Sequence, residues 1–215
     1  QESLAVDIFI RLQQLERPED IDPAFSFSKK TAILLQSALR KEAGEKWHLP
    51  QKVGNTPVEM IIRYTILLSM QAREGVQHIM KRLKLPQVIQ KSVNQTQHLL
   101  QELPQIMDKK NSDIYFLLKG IPTYTLVALQ TLFYDNDKIV SLLDLFQDEW
   151  IKLKPYTSGN DLKKMGILPG PVYKLINQLL QAAWIDNNVI SRDEEQQLLQ
   201  TILGNLHKQG LLPSE

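Results

Sequence analysis

The chain has 215 residues, 25 of them basic and 24 acidic for a formal charge of +1, with 43% hydrophobic residues, 7% aromatic ones and no cysteine. This is a globular composition, long enough for one large domain or two small ones and far from the polar, highly charged make-up of a disordered chain. The missing cysteine excludes disulfides, zinc fingers, cysteine nucleophiles and iron–sulfur clusters, and it agrees with a reducing compartment, so the expected location is the cytoplasm. The longest apolar runs, such as Ile114-Tyr115-Phe116-Leu117-Leu118, are only a few residues, and no basic start precedes an apolar stretch. Neither a membrane span nor a secretory signal is therefore expected. The first residue is Gln1, not Met, so the expectation is a piece of a longer protein.

Leu (34 residues) and Gln (21) are abundant, while Gly (9) and Pro (11) are few and sit at regular breaks, a pattern of helices with short connections. The first 28 residues carry two Arg against six acids, and the acidic turn from Glu16 to Pro23 marks a weak boundary. From Pro57 to Glu74, Met60, Ile61, Tyr64, Leu67 and Leu68 recur at helical spacing while Ile62 and Ile66 cover a second face, which predicts a helix buried on most sides. Pro86 and Pro122 head further apolar-periodic segments. The polar stretch from Asp108 to Asp113 is the best internal boundary, which divides the chain into a helical body, 1–110, and a helical tail, 111–215.

Between Asn136 and Leu153, Ile139, Leu142, Leu143, Phe146, Trp150 and Leu153 form one stripe, with Asp137, Asp144, Asp148 and Lys152 off it, as in an amphipathic surface helix. From Pro171 to Trp184, Val172, Leu175, Ile176, Leu179, Leu180 and Ala183 repeat the pattern, with Pro171 at the first-turn position where a missing N–H costs nothing. Ser191 followed by Glu194 has capping-box spacing and opens a last helix toward His207. Gly75, Gly120, Gly166 and Gly210 stand where helices should stop. No stretch alternates with period two for long enough to be a strand. The predicted fold class is all-α, a bundle of about ten helices in two packed subdomains.

The chemistry-bearing patterns are sparse. Asp20-Ile21-Asp22 and Asp135-Asn136-Asp137 have the spacing of metal-holding carboxylates, yet neither lies on a predicted strand. The first is in a Pro-flanked loop, and the second caps the following helix. Ile139 and Val140 stand where a calcium loop needs an oxygen ligand and a glycine. His48, His78, His98 and His207 are far apart, so no metal site is expected. No phosphate-cradling glycine motif and no nucleophile elbow occurs, so a self-contained enzyme and catalytic residues are not expected either.

Charge is concentrated instead. Residues up to 110 carry sixteen basic against twelve acidic groups, and those after it nine against twelve. Between Arg73 and Lys91, five basic residues (Arg73, Lys81, Arg82, Lys84, Lys91) face only Glu74, and from Lys152 to Lys174 five lysines (Lys152, Lys154, Lys163, Lys164, Lys174) face only Asp161. Such islands can neutralise phosphates, and Tyr156 and Tyr173 in the second could stack on bases; equally, lysines solvate exposed helix faces. Within the second island the run from Thr157 to Pro171 reads as a short helix capped by Ser158 or Asn160, stopped at Gly166, then a rigid Pro169-Gly170-Pro171 turn that launches the next helix.

The segment from Ser158 to Gln200 closely resembles the C-terminal motif of the class II tRNA nucleotidyltransferases, the CCA-adding and A-adding enzymes related to bacterial poly(A) polymerase. The positions that carry the resemblance are Gly159, Asp161, Leu162, Gly166, Pro169, Gly170 and Pro171, the helix to Trp184, and the acidic start Ser191 to Glu195. Glu74 to Leu85 resembles the body of such enzymes and Asn111 to Ile121 the start of their tail, whereas the first 50 residues match only loosely. The family motif usually has a Lys where Asn160 stands, and Tyr173 and Trp184 are bulkier than usual.

The resemblance implies an all-helical body and tail that hold tRNA by its backbone, with Lys81, Arg82, Lys84, Lys152, Lys154, Lys163, Lys164 and Lys174 as contacts. It implies an N-terminal catalytic head elsewhere in the same protein, which supplies the magnesium and nucleoside triphosphate sites; no cofactor is expected in this segment. Gly159, Gly166 and Gly170 would let the loop turn tightly or approach the RNA, and Asp161 would cap or orient it. A helical protein-interaction or dimerisation module, with the tail stripes buried against another chain such as a second copy, is the alternative.

Overall fold

The computed structural model describes residues 46–211. Among them are nine α-helices, one 3-10 turn and one two-stranded ladder, in agreement with the all-α class. The chain forms two compact units, the first from residues 46–105 with Gly120–Leu143, the second from Ile106–Lys119 with residues 144–211. Asp20 and Asp22, and the acidic turn around them, lie outside the described residues.

The first unit opens with a hairpin, β1 (Lys52–Val53) paired antiparallel with β2 (Thr56–Pro57). Its two-residue turn puts Gly54 at φ +59°, a conformation that suits glycine, and this is how so short a ladder forms where no alternating run exists. Helix α1 (Val58–Ser69) follows at once, and seven of its apolar and aromatic residues, among them Ile61, Ile62, Tyr64, Ile66, Leu67 and Leu68, are buried, as the two apolar faces predict.

The helix expected to run from Pro57 to Glu74 is in fact two. Helix α1 stops at Ser69 and α2 (Arg73–Arg82) starts after the extended Ala72, so Gly75 lies inside α2 and is not a stop. The cause is Gln71, 8% exposed, whose side-chain amide donates to the Leu67 carbonyl at 3.3 Å in place of the next helical N–H. Helix α2 is stopped by Lys84, two residues past its end, which is left-handed at φ +49°; the Leu85 N–H donates to the Met80 carbonyl at 3.1 Å and that of Lys84 to the Lys81 carbonyl at 3.2 Å. Met80 and Leu85 are both buried, which completes the Schellman stop.

Helices α3 (Gln87–Ile106) and α5 (Thr123–Leu132) follow in the same unit, and α1 packs chiefly on α5. At the centre the Thr65 hydroxyl of α1 donates to that of Ser92 on α3 at 2.8 Å, and Ser92 shares a 2.9 Å hydrogen bond with Thr125 on α5. All three residues are at most 1% exposed, so three helices are keyed to one another by neutral hydroxyls that satisfy each other in the core.

In the second unit, α4 (Asn111–Leu118) packs on α8 (Pro171–Ile185), which also packs on α9 (Arg192–Lys208). Asp186, at the end of α8, accepts from both the backbone N–H and the hydroxyl of Ser112 at 2.8 Å each, so a side chain from a distant segment caps the start of α4. Helix α6 (Asp137–Asp148), whose residues up to Leu143 belong to the first unit, carries its stripe as expected, with Ile139, Leu143 and Phe146 buried and Trp150 buried in the 3-10 turn after it. Its cap is Asn136, whose side-chain oxygen accepts from the Ile139 N–H at 3.2 Å, so the Asp135–Asp137 pair flanks the cap. No group of three metal-ligating side chains occurs among the described residues, and the four histidines are exposed there.

The core of the second unit is Leu162, Ile167, Ile176, Leu180, Leu199, Ile202 and Leu206. Helix α8 departs from its predicted stripe: Ile176, Leu180 and Ala183 are buried, but Leu175 and Leu179 are 37% and 42% exposed, because the buried face is centred one residue further on. Among the described residues no helix is long and apolar enough to cross a membrane.

Candidate nucleic-acid interface

The loop singled out in the sequence is built from its backbone outward. After the 3-10 turn Trp150–Lys152, residues 153–158 have no repeating hydrogen bonds of their own, so their polar groups need partners from elsewhere. Side chains of the flanking helices supply them. Gln181 of α8 donates to the Leu153 carbonyl at 3.0 Å. Glu195, in the first turn of α9, receives the Tyr156 N–H (2.9 Å), the Thr157 N–H (2.7 Å), the Thr157 hydroxyl (2.6 Å) and the Trp184 indole N–H (2.6 Å).

Glu195 is 1% exposed, and its two oxygens share four donors, none of them a cation. Burial pushes its carboxyl up, but the bonds from Thr157, Tyr156 and Trp184 outweigh this and hold it below the ordinary glutamate range. One ionised group thereby ties the loop, α8 and α9 together. Trp184, bulkier than the family motif carries, has its role here as a donor, and its ring also lies 5.8 Å from that of Tyr156.

The loop then enters α7 (Gly159–Lys164) through a full capping box. The Asp161 N–H reaches the Ser158 hydroxyl at 3.4 Å, while the Asp161 carboxylate accepts from the Ser158 N–H at 2.9 Å and its hydroxyl at 2.6 Å. Of the two candidate caps, Ser158 is the one used, and Asp161 fills the capping role expected of it. The hydroxyl and N–H of Ser158, then the charges of Lys164 and Arg192, hold the Asp161 carboxyl below the usual aspartate range.

Leu162 anchors α7 in the core at 0% exposure. Gly166 is left-handed at φ +81°, with the Ile167 N–H bonded to the Leu162 carbonyl at 3.2 Å and its own N–H to the Lys163 carbonyl at 3.0 Å, a Schellman stop closed by the Leu162 and Ile167 side chains. A Cβ at Gly159 would meet the Tyr173 ring at 3.6 Å, an ordinary van der Waals contact, so space does not demand glycine there; the Tyr173 hydroxyl donates to the Ile167 carbonyl at 2.8 Å, which pins that ring to the loop. Gly170 is fully extended, a conformation open to any residue, so the tight turn expected of it is not seen at that position.

All eight basic candidates are exposed. In the first unit Lys81 and Arg82 end α2, and Lys84 occupies its left-handed stop. In the second, Lys152 lies in the 3-10 turn, Lys154 in the tethered segment, Lys163 and Lys164 in the last turn of α7, and Lys174 in the first turn of α8. The five lysines thus lie exposed on consecutive elements, within and on either side of the clamped segment. Asn160, where the family motif has a Lys, is exposed beside them.

The residue that sequence reasoning passed over is Glu195, read only as part of an acidic helix start. A signal existed: Glu195, Leu199, Ile202 and Leu206 fall at i, i+4, i+7 and i+11, which puts a carboxylate on the buried stripe of α9.

No family model matches the chain. A stretch of 91 residues, 42% of the chain, is 28% identical to the A-adding tRNA nucleotidyltransferase of Geobacter sulfurreducens and covers 10% of it. In structure the chain is similar to the Thermotoga maritima CCA-adding enzyme complexed with tRNA, with a TM-score of 0.66 over 92% of this chain and 47% of that one at 16% identity, which is a likeness of fold. The chain spans about half the length of the solved enzyme. The chain is thus similar over part of its length to an A-adding tRNA nucleotidyltransferase and shares the fold of a stretch of a CCA-adding enzyme.

Proposed function

We propose that this chain is the RNA-binding C-terminal body and tail of a tRNA nucleotidyltransferase, and that it positions tRNA for 3′-end nucleotide addition by a catalytic head outside these 215 residues. The observation that carries the reading is the set of five exposed lysines around a loop held rigid from inside by Glu195. Exposed lysines on fixed backbone neutralise phosphates without reading sequence, and the tRNA in the solved neighbour gives the RNA class. Magnesium and the nucleoside triphosphate belong to the head in this reading, and the same reading puts the protein in the cytoplasm.

Salt tests it. Affinity of the chain for tRNA should fall steeply as salt rises, and K163E with K164E should weaken all tRNAs alike and reduce the salt slope by about 1 per lysine. A flat salt dependence would remove the physical basis of the reading. The chain alone should add no nucleotide, and magnesium-dependent CMP or AMP incorporation would overturn that assignment.

A pairing module has one observation in its favour, the exposed Leu175 and Leu179 on one row of α8 with Leu168 at 78% exposure before it. Sedimentation velocity of L175E with L179E separates the two readings: the RNA reading expects unchanged mass and unchanged tRNA affinity, the pairing reading a loss of dimer.

A further inference from the structure

We propose that Tyr156 is a base-stacking residue, its ring presented at the surface of the second unit by the Glu195 clamp so that it receives an unpaired or end-exposed base of the bound RNA. The inference rests on the RNA-binding reading above and adds to it a contact that is not electrostatic. Three observations converge on this residue. Tyr156 is 62% exposed, an unusual placing for a large aromatic side chain in a segment whose backbone is otherwise tied down. It is held from two sides, its N–H by Glu195 at 2.9 Å and its ring by the tilted Trp184 ring at 5.8 Å and 59°, while Trp184 itself donates to the same carboxylate oxygen. And it is two residues from Lys154 and four from Lys152, both exposed, so a phosphate held by either lysine brings the adjoining nucleotide within reach of the ring.

The other exposed tyrosine makes the contrast. Tyr134, 50% exposed in the first unit, is followed by Asp135 and Asp137, both exposed carboxylates that repel a phosphate backbone. Tyr173, in the same island as Tyr156, spends its hydroxyl on the Ile167 carbonyl and is half-buried. Only Tyr156 combines an open ring, a basic setting and a backbone fixed in advance, which lowers the ordering cost of binding. Glu195 is a positioning residue in this scheme: it touches no RNA and acts through the backbone of Tyr156 and Thr157.

The test is a titration of tRNA with the full chain at several salt concentrations. Y156A and Y156L should each weaken binding by about five- to a hundredfold, and Y156F should stay within about twofold, since a π face and not a hydroxyl is required. The salt slope should be unchanged in all three, because no charge is lost. K152E with K154E should instead reduce both affinity and slope. If Y156L binds like the parent while the lysine variant is impaired, the stacking inference fails and the electrostatic reading stands. If tRNA binding by the parent is itself independent of salt, the electrostatic reading fails and the inference with it. Should Y156A not fold, the Y156L to Y156F contrast decides alone, as both keep a bulky apolar side chain beside Trp184.

Discussion

In the first unit three hydroxyls buried at the centre hydrogen-bond one another, Thr65 to Ser92 to Thr125, whereas in the second the carboxylate of Glu195 is buried against four donors. The hydroxyl chain is neutral, joins three helices, and asks little of its surroundings. The carboxylate carries a full charge into a nearly water-free place, which is tolerable only because every lone-pair direction is met. Packing alone can hold helices together, but a segment without regular structure needs partners for its backbone, and a charged acceptor binds N–H groups more strongly than a neutral one. The ionised group therefore sits where the chain is irregular and the neutral ones where it is helical.

The largest expected effect is at Glu195. E195A leaves four donors without their acceptor and a void at a residue that is 1% exposed, and should cost about 3–5 kcal/mol, read by urea denaturation. E195Q keeps the volume but turns an amide NH₂ toward N–H donors, and should cost nearly as much. Hydrogen exchange at the Tyr156 and Thr157 amides should accelerate first; protection unchanged in E195A would show that the clamp is not what holds the loop.

Acid should divide the two units. The Glu195 carboxyl is lower in the folded chain than its ordinary 4.5, so its contribution is present in full above that value and is lost as pH falls through the lower folded one. Asp161, lowered from 3.8 mainly by Ser158, adds to the loss in the same direction. The hydroxyl chain does not titrate there. Amide protection in the second unit should thus fail at higher pH than around Ser92, and simultaneous loss would refute the contrast.

In the first unit, S92A strands two buried hydroxyls and should cost about 1–3 kcal/mol, whereas T65V, S92A and T125V combined should cost less than the sum of the three singles, since no polar group is then left unpaired. Calorimetry distinguishes these.

The smallest effects concern the two Schellman stops, which share a hydrogen-bond pattern but not a residue. G166A forces a side chain into the left-handed region and should cost about 1 kcal/mol, while K84G removes that strain and should gain about 0.5–1 kcal/mol in thermal melts. K84G would at the same time remove one exposed positive charge from the first basic island, so a gain in stability accompanied by weaker tRNA binding would show why a lysine occupies a glycine position.

Much of this was legible in local pattern. The helix stripes around Ile61 and Phe146, the Ser158–Asp161 cap and the Gly166 stop each depend on residues within one or two turns, where spacing and side-chain chemistry decide the outcome. The break after Ser69 was not, because Gln71 competes with the helix only when it is buried, and burial is decided by neighbours far along the chain. The same holds for Leu175 and Leu179, whose exposure follows from which face of α8 meets α4 and α9.

The sequence by itself determined that the protein is helical, where most helices begin and end, and that a capped basic loop precedes α8, since these follow from short-range periodicity and capping. Only the tertiary structure decided that Glu195, 38 and 39 positions beyond Thr157 and Tyr156, would close on that loop. A hydrogen bond acts over about 3 Å, so no spacing in the chain announces it until the helices have packed.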